Sequence, residues 1–212
     1  MIRMRICLAL AVALALGACS SLTGKREPFT VYSPRYTPPA DAAKASPVQW
    51  QLTIDTPLAS DALDTSRMLV MPSPGAIETY KGGRWADTMP LMLRALLIQA
   101  FQDSGRIEGI GATASGLHAD FSLAIDLHDF ETQYRDGAPH AVIRLNAKLT
   151  DLSVNRVRAA RMFEADVPAA GAQAADAAAA FQRALDKMLA QMVAWTFEQG
   201  QANWGNSARP SP

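Results

Sequence analysis

The side chains of this chain that could do chemistry are few. There are two cysteines and three histidines in 212 residues. None of His118, His128 and His140 is followed by a partner at the spacing of a metal site, and no thiol accompanies them. Asp126, His128 and Asp129 are close enough in sequence to suggest a metal. On a strand, however, Asp126 and His128 share the face opposite the apolar stripe, so the reading is a solvated strand face. No Gly-x-Ser-x-Gly places a nucleophile, and Gly109-Ile-Gly111 is a fragment too short to cradle phosphate. Nine methionines raise the question of copper, but they fall at core spacings or near the N-terminus, where gap-filling is their ordinary use. No catalytic residue, no metal ligand and no cofactor is assigned, and the chain is read as non-enzymatic.

What remains is Cys19. Arg3 and Arg5 precede an apolar run from Ile6 to Leu16, and Leu16-Gly17-Ala18-Cys19 follows. A run of about eleven apolar residues fits the core of a secretory signal and is too short to span a bilayer. The segment before the cysteine resembles the lipobox of bacterial lipoproteins. The resemblance implies that residues 1–18 are removed, that the Cys19 thiol receives a diacylglycerol, and that its amine is acylated, commonly with palmitate. Ser20 stands where Asp would favour inner-membrane retention, so it resembles the outer-membrane class. The expected location is the periplasmic face of the outer membrane, reached through the lipid. Cys7 would leave with the signal, so no disulfide supports the mature fold.

The precursor carries no formal net charge at pH 7. Loss of Arg3 and Arg5 leaves about two negative charges, and no basic excess marks nucleic acid as a partner. Residues 19–47 are rich in Pro, Ala and Ser and read as a lipidated tether, with a possible short strand at 29–32. At about 3.1 Å per residue such a tether reaches less than roughly 90 Å. Residues 48–199 form the expected periplasmic domain, and 200–212 a flexible tail.

Within the domain, Trp50–Ile54 and Arg67–Met71 read as strands. Ala76–Lys81 is a short strand or a turn, and Gly82-Gly83 then breaks the chain. Trp85 to Phe101 has apolar residues at three and four spacing, which predicts a helix with Asp87 serving its first turn and Pro90 tolerated there. Ile107–Ile110 is a further short strand. Phe121, Leu123, Ile125 and Leu127 alternate with polar residues, and the phase slips at Phe130, as at a bulge. Asp136-Gly137 is a hairpin turn. Ala141 to Leu149 is a half-buried strand, and Val157 to Val167 the last one, with Arg161 the exception on its inner face. From Gln173 an alanine-rich helix carries Phe181, Leu185, Met188, Met192 and Trp195 as an apolar seam, broad enough to pack on a sheet. Tyr80, Trp85, Phe101, Phe181, Trp195 and Phe197 are expected in the core. The fold class is α+β: a mostly antiparallel sheet with two main amphipathic helices on one face.

The stretch Leu63-Asp-Thr-Ser-Arg67-Met-Leu-Val70, followed by Tyr80-Lys-Gly-Gly-Arg84-Trp85-Ala-Asp87, resembles the ABC-type transport auxiliary lipoprotein family, which includes the paraquat-inducible lipoproteins. Phe29-Thr-Val-Tyr32, Asp126-Leu-His-Asp-Phe130 and Ala179-Ala-Phe181 match further parts of the pattern in order, from about residue 28 to 197. Val31-Tyr32 departs from it, since the family tends to have Leu after Tyr. The resemblance implies an auxiliary component of an ABC transporter with a mammalian-cell-entry (MCE) type binding protein, moving lipid between inner and outer membranes. It also implies MCE and transporter partners and, in some members, a homo-oligomeric ring. Tyr80, Arg84 and Trp85 carry the motif, either as structural residues or as a partner site. A different reading of the same features is an outer-membrane lipoprotein that regulates a cell-envelope enzyme such as a peptidoglycan synthase.

Overall fold

In the computed structural model, which describes residues 28–39 and 46–204, the alternating run after Asp120 becomes the spine of an eight-stranded sheet. The strands are β1 (Thr30–Tyr32), β2 (Leu52–Ile54), β3 (Arg67–Ser73), β4 (Ala76–Trp85), β5 (Ile110–Ala112), β6 (Phe121–Arg135), β7 (Ala138–Asp151) and β8 (Arg156–Pro168). Two helices, α1 (Met89–Asp103) and α2 (Ala174–Trp204), cover one face. The α+β class is as the sequence predicts.

Strands β6, β7 and β8 form a long antiparallel meander. The slip at Phe130 is a bulge between Leu127 and Asp129, which returns Phe130 to the inner face. Asp136 and Gly137 turn the hairpin with φ of 51° and 79°, as a type I′ turn requires. Arg161 pairs with Ala147 and so keeps the inner-face register. It is nonetheless exposed, beyond the helix cover, with its guanidinium 4.8 Å from the Phe163 ring centroid. A second bulge, between Leu149 and Thr150, leaves Val157 exposed where the alternation places it inside. Buried Asp151 is held there by Arg158, whose Nη2 donates to it at 2.8 Å.

The shorter strands join differently from the meander. Both β2 and β3 run parallel to β6, β2 beside its first residues and β3 beside its last, with an isolated bridge from Leu58 to Asp126 between them. Strand β5 adds to β2, and β1 to β4, also in parallel. Antiparallel pairing still accounts for most of the ladder.

Several boundaries differ from expectation. Gly82-Gly83 does not break the chain. Strand β4 continues to Trp85, absorbing residues 80–83 as a wide bulge opposite Met68, with Gly82 at φ 71°. Gly83 is required by proximity, since a Cβ there would lie 2.6 Å from Ala174 Cβ. Helix α1 therefore starts at Met89, with Pro90 in its first turn, and Trp85 belongs to the sheet. Asp87 does not cap the helix; its Oδ1 accepts from the Thr88 amide. The strand read at Ile107–Ile110 lies instead at Ile110–Ala112. Helix α2 runs to Trp204, so the tail expected from Gly200 begins inside a helix.

The core is continuous between the sheet and the helices, with an aromatic cluster toward each end of α2. Phe130 and Phe181 stack at 4.7 Å with planes 7° apart, and Trp85 meets both edge-on. At the other end Phe197 contacts Trp50 and Phe101, and Trp50 meets Phe121. Burying each such ring contributes about 1.5–3 kcal/mol. Gly200 closes this second cluster: a Cβ there would lie 2.5 Å from Trp50 Cζ2. Gly200→Val should therefore lower unfolding stability by about 1–3 kcal/mol through overpacking, read as a fall in the urea midpoint. An unchanged midpoint would show that the helix end is not seated on Trp50.

Candidate functional site

The motif residues of β4 point in different directions. Trp85 is 2 % exposed and faces inward, its ring centroid 5.8 Å from Phe130 and 5.4 Å from Phe181. It thus joins the sheet to α2 from the end of β4, outside the helix predicted to begin with it. Arg84, on the opposite face, is exposed, with its guanidinium 4.8 Å from the centroid of the Phe29 ring just before β1. Tyr80 is half-buried in the β4 bulge, where burial raises its phenol pKa and the neighbouring Thr132 hydroxyl opposes the rise. The three residues do not converge on one pocket. Cys19 and Ser20 lie outside the described residues.

The segment expected to be a loose tether is docked where it is described. Residues 33–39 lie over the two helices as a strap. The Arg35 amide donates to Gln182 Oε1 at 3.1 Å, Gln182 Nε2 donates back to the Arg35 carbonyl at 2.5 Å, and the Thr37 amide donates to Asp186 Oδ1 at 3.0 Å. Tyr36 is buried at 8 % exposure. That burial, with Asp186 and Asp103 nearby, pushes its phenol pKa up. Sequence reasoning missed this contact because prolines make a chain extended without saying whether it packs. The one available sign is an aromatic residue between Pro34 and Pro38.

Among the described residues, hollows follow the strap. One of about 270 Å³ lies between Tyr36, Pro38, Ala100, Arg106, Val193 and Phe197. A second, of about 290 Å³, is floored by Trp85 beside Tyr32 and Gln182, and a third, of about 350 Å³, lies between Arg35, Asp87 and Leu96.

On the other face of the sheet the charges neutralise one another across strands. Lys148 donates to Asp126 at 2.6 Å, and that hydrogen bond holds the carboxyl below its ordinary range. Arg144 pairs with Asp129, which in turn raises the guanidinium pKa. Arg135 and His140 share Asp166, the latter at 2.7 Å. Both aspartates that could have joined His128 are therefore engaged with cations. Among the described residues no three His, Cys, Asp or Glu side chains are placed to hold a metal. Glu131 differs from these acids: it is 4 % exposed, and burial raises its pKa. Its carboxylate is held by the Phe130 amide at 2.8 Å and Gln133 Nε2 at 2.7 Å, which oppose that rise.

This geometry defines a mixed α+β domain whose sheet is sealed by two helices and an N-terminal strap. The family model described as "ABC-type transport auxiliary lipoprotein component" matches residues 34–193, and the chain belongs to that family. A crystal structure of protein XCC0632 from Xanthomonas campestris is 37 % identical and superposes with a TM-score of 0.76, covering 83 % of this chain and 99 % of that one. A second crystal structure, of an uncharacterised protein, shares the fold with a TM-score of 0.61 at 15 % identity, covering 80 % of this chain and 99 % of that one. An uncharacterised Bradyrhizobium diazoefficiens protein is 29 % identical over 163 residues, which is 76 % of this chain but 43 % of that protein, so the chain spans less than half of this relative. No helix among the described residues is long and apolar enough to cross a membrane.

Glu131 gives a signed pH dependence. Its folded pKa is raised, so the folded state holds the proton more tightly than the unfolded chain, whose carboxyl titrates near ~4.3. The stability it contributes is full below that value and is lost as pH rises through the folded pKa. The urea midpoint of the parent relative to Glu131→Gln should fall as pH is raised from about 4 toward neutrality. Parallel curves would mean that Glu131 is not buried as described.

Proposed function

We propose that this chain is a periplasmic lipoprotein anchored through Cys19 in the outer membrane, where it serves as a non-enzymatic auxiliary component of an ABC/MCE-type lipid transport system. Membership in the auxiliary lipoprotein family is the observation that carries the reading. The lipobox at Leu16–Cys19 supports the anchor, and Ser20 supports the outer membrane. Its partners would be the outer membrane, an MCE-type binding protein with its transporter, and further copies of itself in a ring. The role of Tyr80, Arg84 and Trp85 is proposed to be structural: Trp85 ties the sheet to α2, and Arg84 steadies the entry to β1.

The alternative, regulation of a peptidoglycan synthase, favours a long arm. With β1 on the sheet and the strap docked on α2, the arm shortens. About nine residue steps separate Cys19 from Pro28, at most roughly 30 Å when fully extended. That length suits a domain held near its own membrane.

Radioactive palmitate labelling, density fractionation and cross-linked capture test the reading together. The parent should label and sediment with the outer membrane, Cys19→Ala should lose the label, and Ser20→Asp should move the protein to the inner membrane. Capture from the parent should recover an MCE-type protein or transporter subunit. Continued labelling of Cys19→Ala, or recovery of a peptidoglycan synthase without any transport component, would refute it.

A further inference from the structure

Strand β1 is the outermost strand beside β4, and its exposed face is apolar and cationic at once. Phe29 and Val31 are 52 % and 54 % exposed, and Ile77, farther along β4, is 51 % exposed. Val31 is paired with Arg84, so both share the face opposite buried Trp85, and Arg84 lies over Phe29. Across β4 the partner of Arg84 is Arg67. Like charges directly opposed on an antiparallel pair repel and cost stability. Among the described residues no carboxylate lies within ion-pair distance of Arg67, Arg84 or the neighbouring exposed Lys81, in contrast to Arg135, Arg144, Lys148 and Arg158 farther along the sheet. In the sequence, Lys25-Arg26-Glu27 precedes Pro28 and adds one net positive charge.

We propose that this corner is a membrane seat: Phe29, Val31 and Ile77 rest in the headgroup region of the bilayer, and Arg67, Lys81 and Arg84 meet anionic lipid phosphates. The inference rests on the Cys19 anchor proposed above. With about nine residue steps between Cys19 and Pro28, the β1 edge is the part of the described fold nearest Cys19 along the chain, at most roughly 30 Å from it. Aromatic and aliphatic side chains beside unpaired cations suit the interface, where ring and stem bury and the charge stays wet. The lipid already holds the protein at the membrane, so the seat has only to orient it.

The orientation follows from the strand order. Strand β3 runs parallel to β6 with Val70 beside Thr132, which places Arg67 about level with Asp129. The β7–β8 turn follows Asp151, which pairs with Phe121 at the start of β6. That turn therefore lies toward the other end of the sheet, and with β1 seated on lipid its exposed Leu152 and Val154 face away into the periplasm.

The two ends can be compared in the lipidated protein. The signal takes Cys7 away and acylation blocks Cys19, so Val31→Cys and Val154→Cys each supply a single free thiol for an environment-sensitive fluorophore. In vesicles of phosphatidylethanolamine and phosphatidylglycerol carrying a nitroxide near the headgroup, the label at 31 should be quenched at least about threefold more than the label at 154. That excess should shrink when phosphatidylcholine replaces phosphatidylglycerol, and in the Arg67→Glu/Arg84→Glu background. Equal quenching at both positions, in protein that floats with the vesicles, would overturn the seat while leaving the anchor intact. So would a label at 31 that is shielded without lipid, by a second copy of the chain. Protein that does not float, and whose Cys19 accepts the label, would overturn the anchor and the seat with it.

Discussion

Phe181 and Phe197 lie toward opposite ends of helix α2, and each completes an aromatic cluster that the sheet begins. Phe181 stacks on Phe130 and takes Trp85 edge-on, while Phe197 closes over Trp50 and Phe101. The seam between them, Leu185, Met188, Leu189 and Met192, is buried along its length. A sheet with one apolar face is stable only when that face is covered, and α1 reaches only part of it. The seating of α2 therefore fixes the positions of the other elements. It brings Gly83 against Ala174, requires Gly200 beside Trp50, and holds the bulged end of β4.

The same helix carries a second set of partners. Gln182 and Asp186 hold the backbone of Arg35 and Thr37, and Tyr36 is buried with them. A segment whose composition suggests a free linker is thereby made part of the domain. That contact turns a long arm into a short one, and the short arm gives the exposed face of β1 a physical setting.

The antiparallel meander was legible in the sequence because its information is local. Alternation sets the face, the Asp136-Gly137 turn sets the register, and the slip before Phe130 announces the bulge. The apolar seam of α2 was legible for the same reason. The parallel additions of β1, β2 and β5 were not, because three-residue strands carry little periodicity and their partners are distant in the chain. The spacing of Trp85 to Met89 and Met92 fits a helical stripe as well as a strand end facing the same core, so the pattern alone does not separate the two. The pair Gly82-Gly83 signals a turn, whereas here one glycine supplies a positive φ within a strand and the other makes room for Ala174. Of the candidate site, Cys19 and Ser20 rest on the resemblance of Leu16–Cys19 to a lipobox and lie outside the described residues. Tyr80, Arg84 and Trp85 were legible only through resemblance, which does not reveal that their side chains diverge. The strap was not legible, because its bonds join residues nearly 150 positions apart.

The docking of the strap on α2 can be read by amide hydrogen exchange. The amides of Arg35 and Thr37 should exchange far more slowly than those of an unstructured peptide, and both should lose that protection in Tyr36→Ala while α2 remains protected. Free exchange of both amides in the parent protein would show that the strap is not docked and return residues 33–39 to the tether.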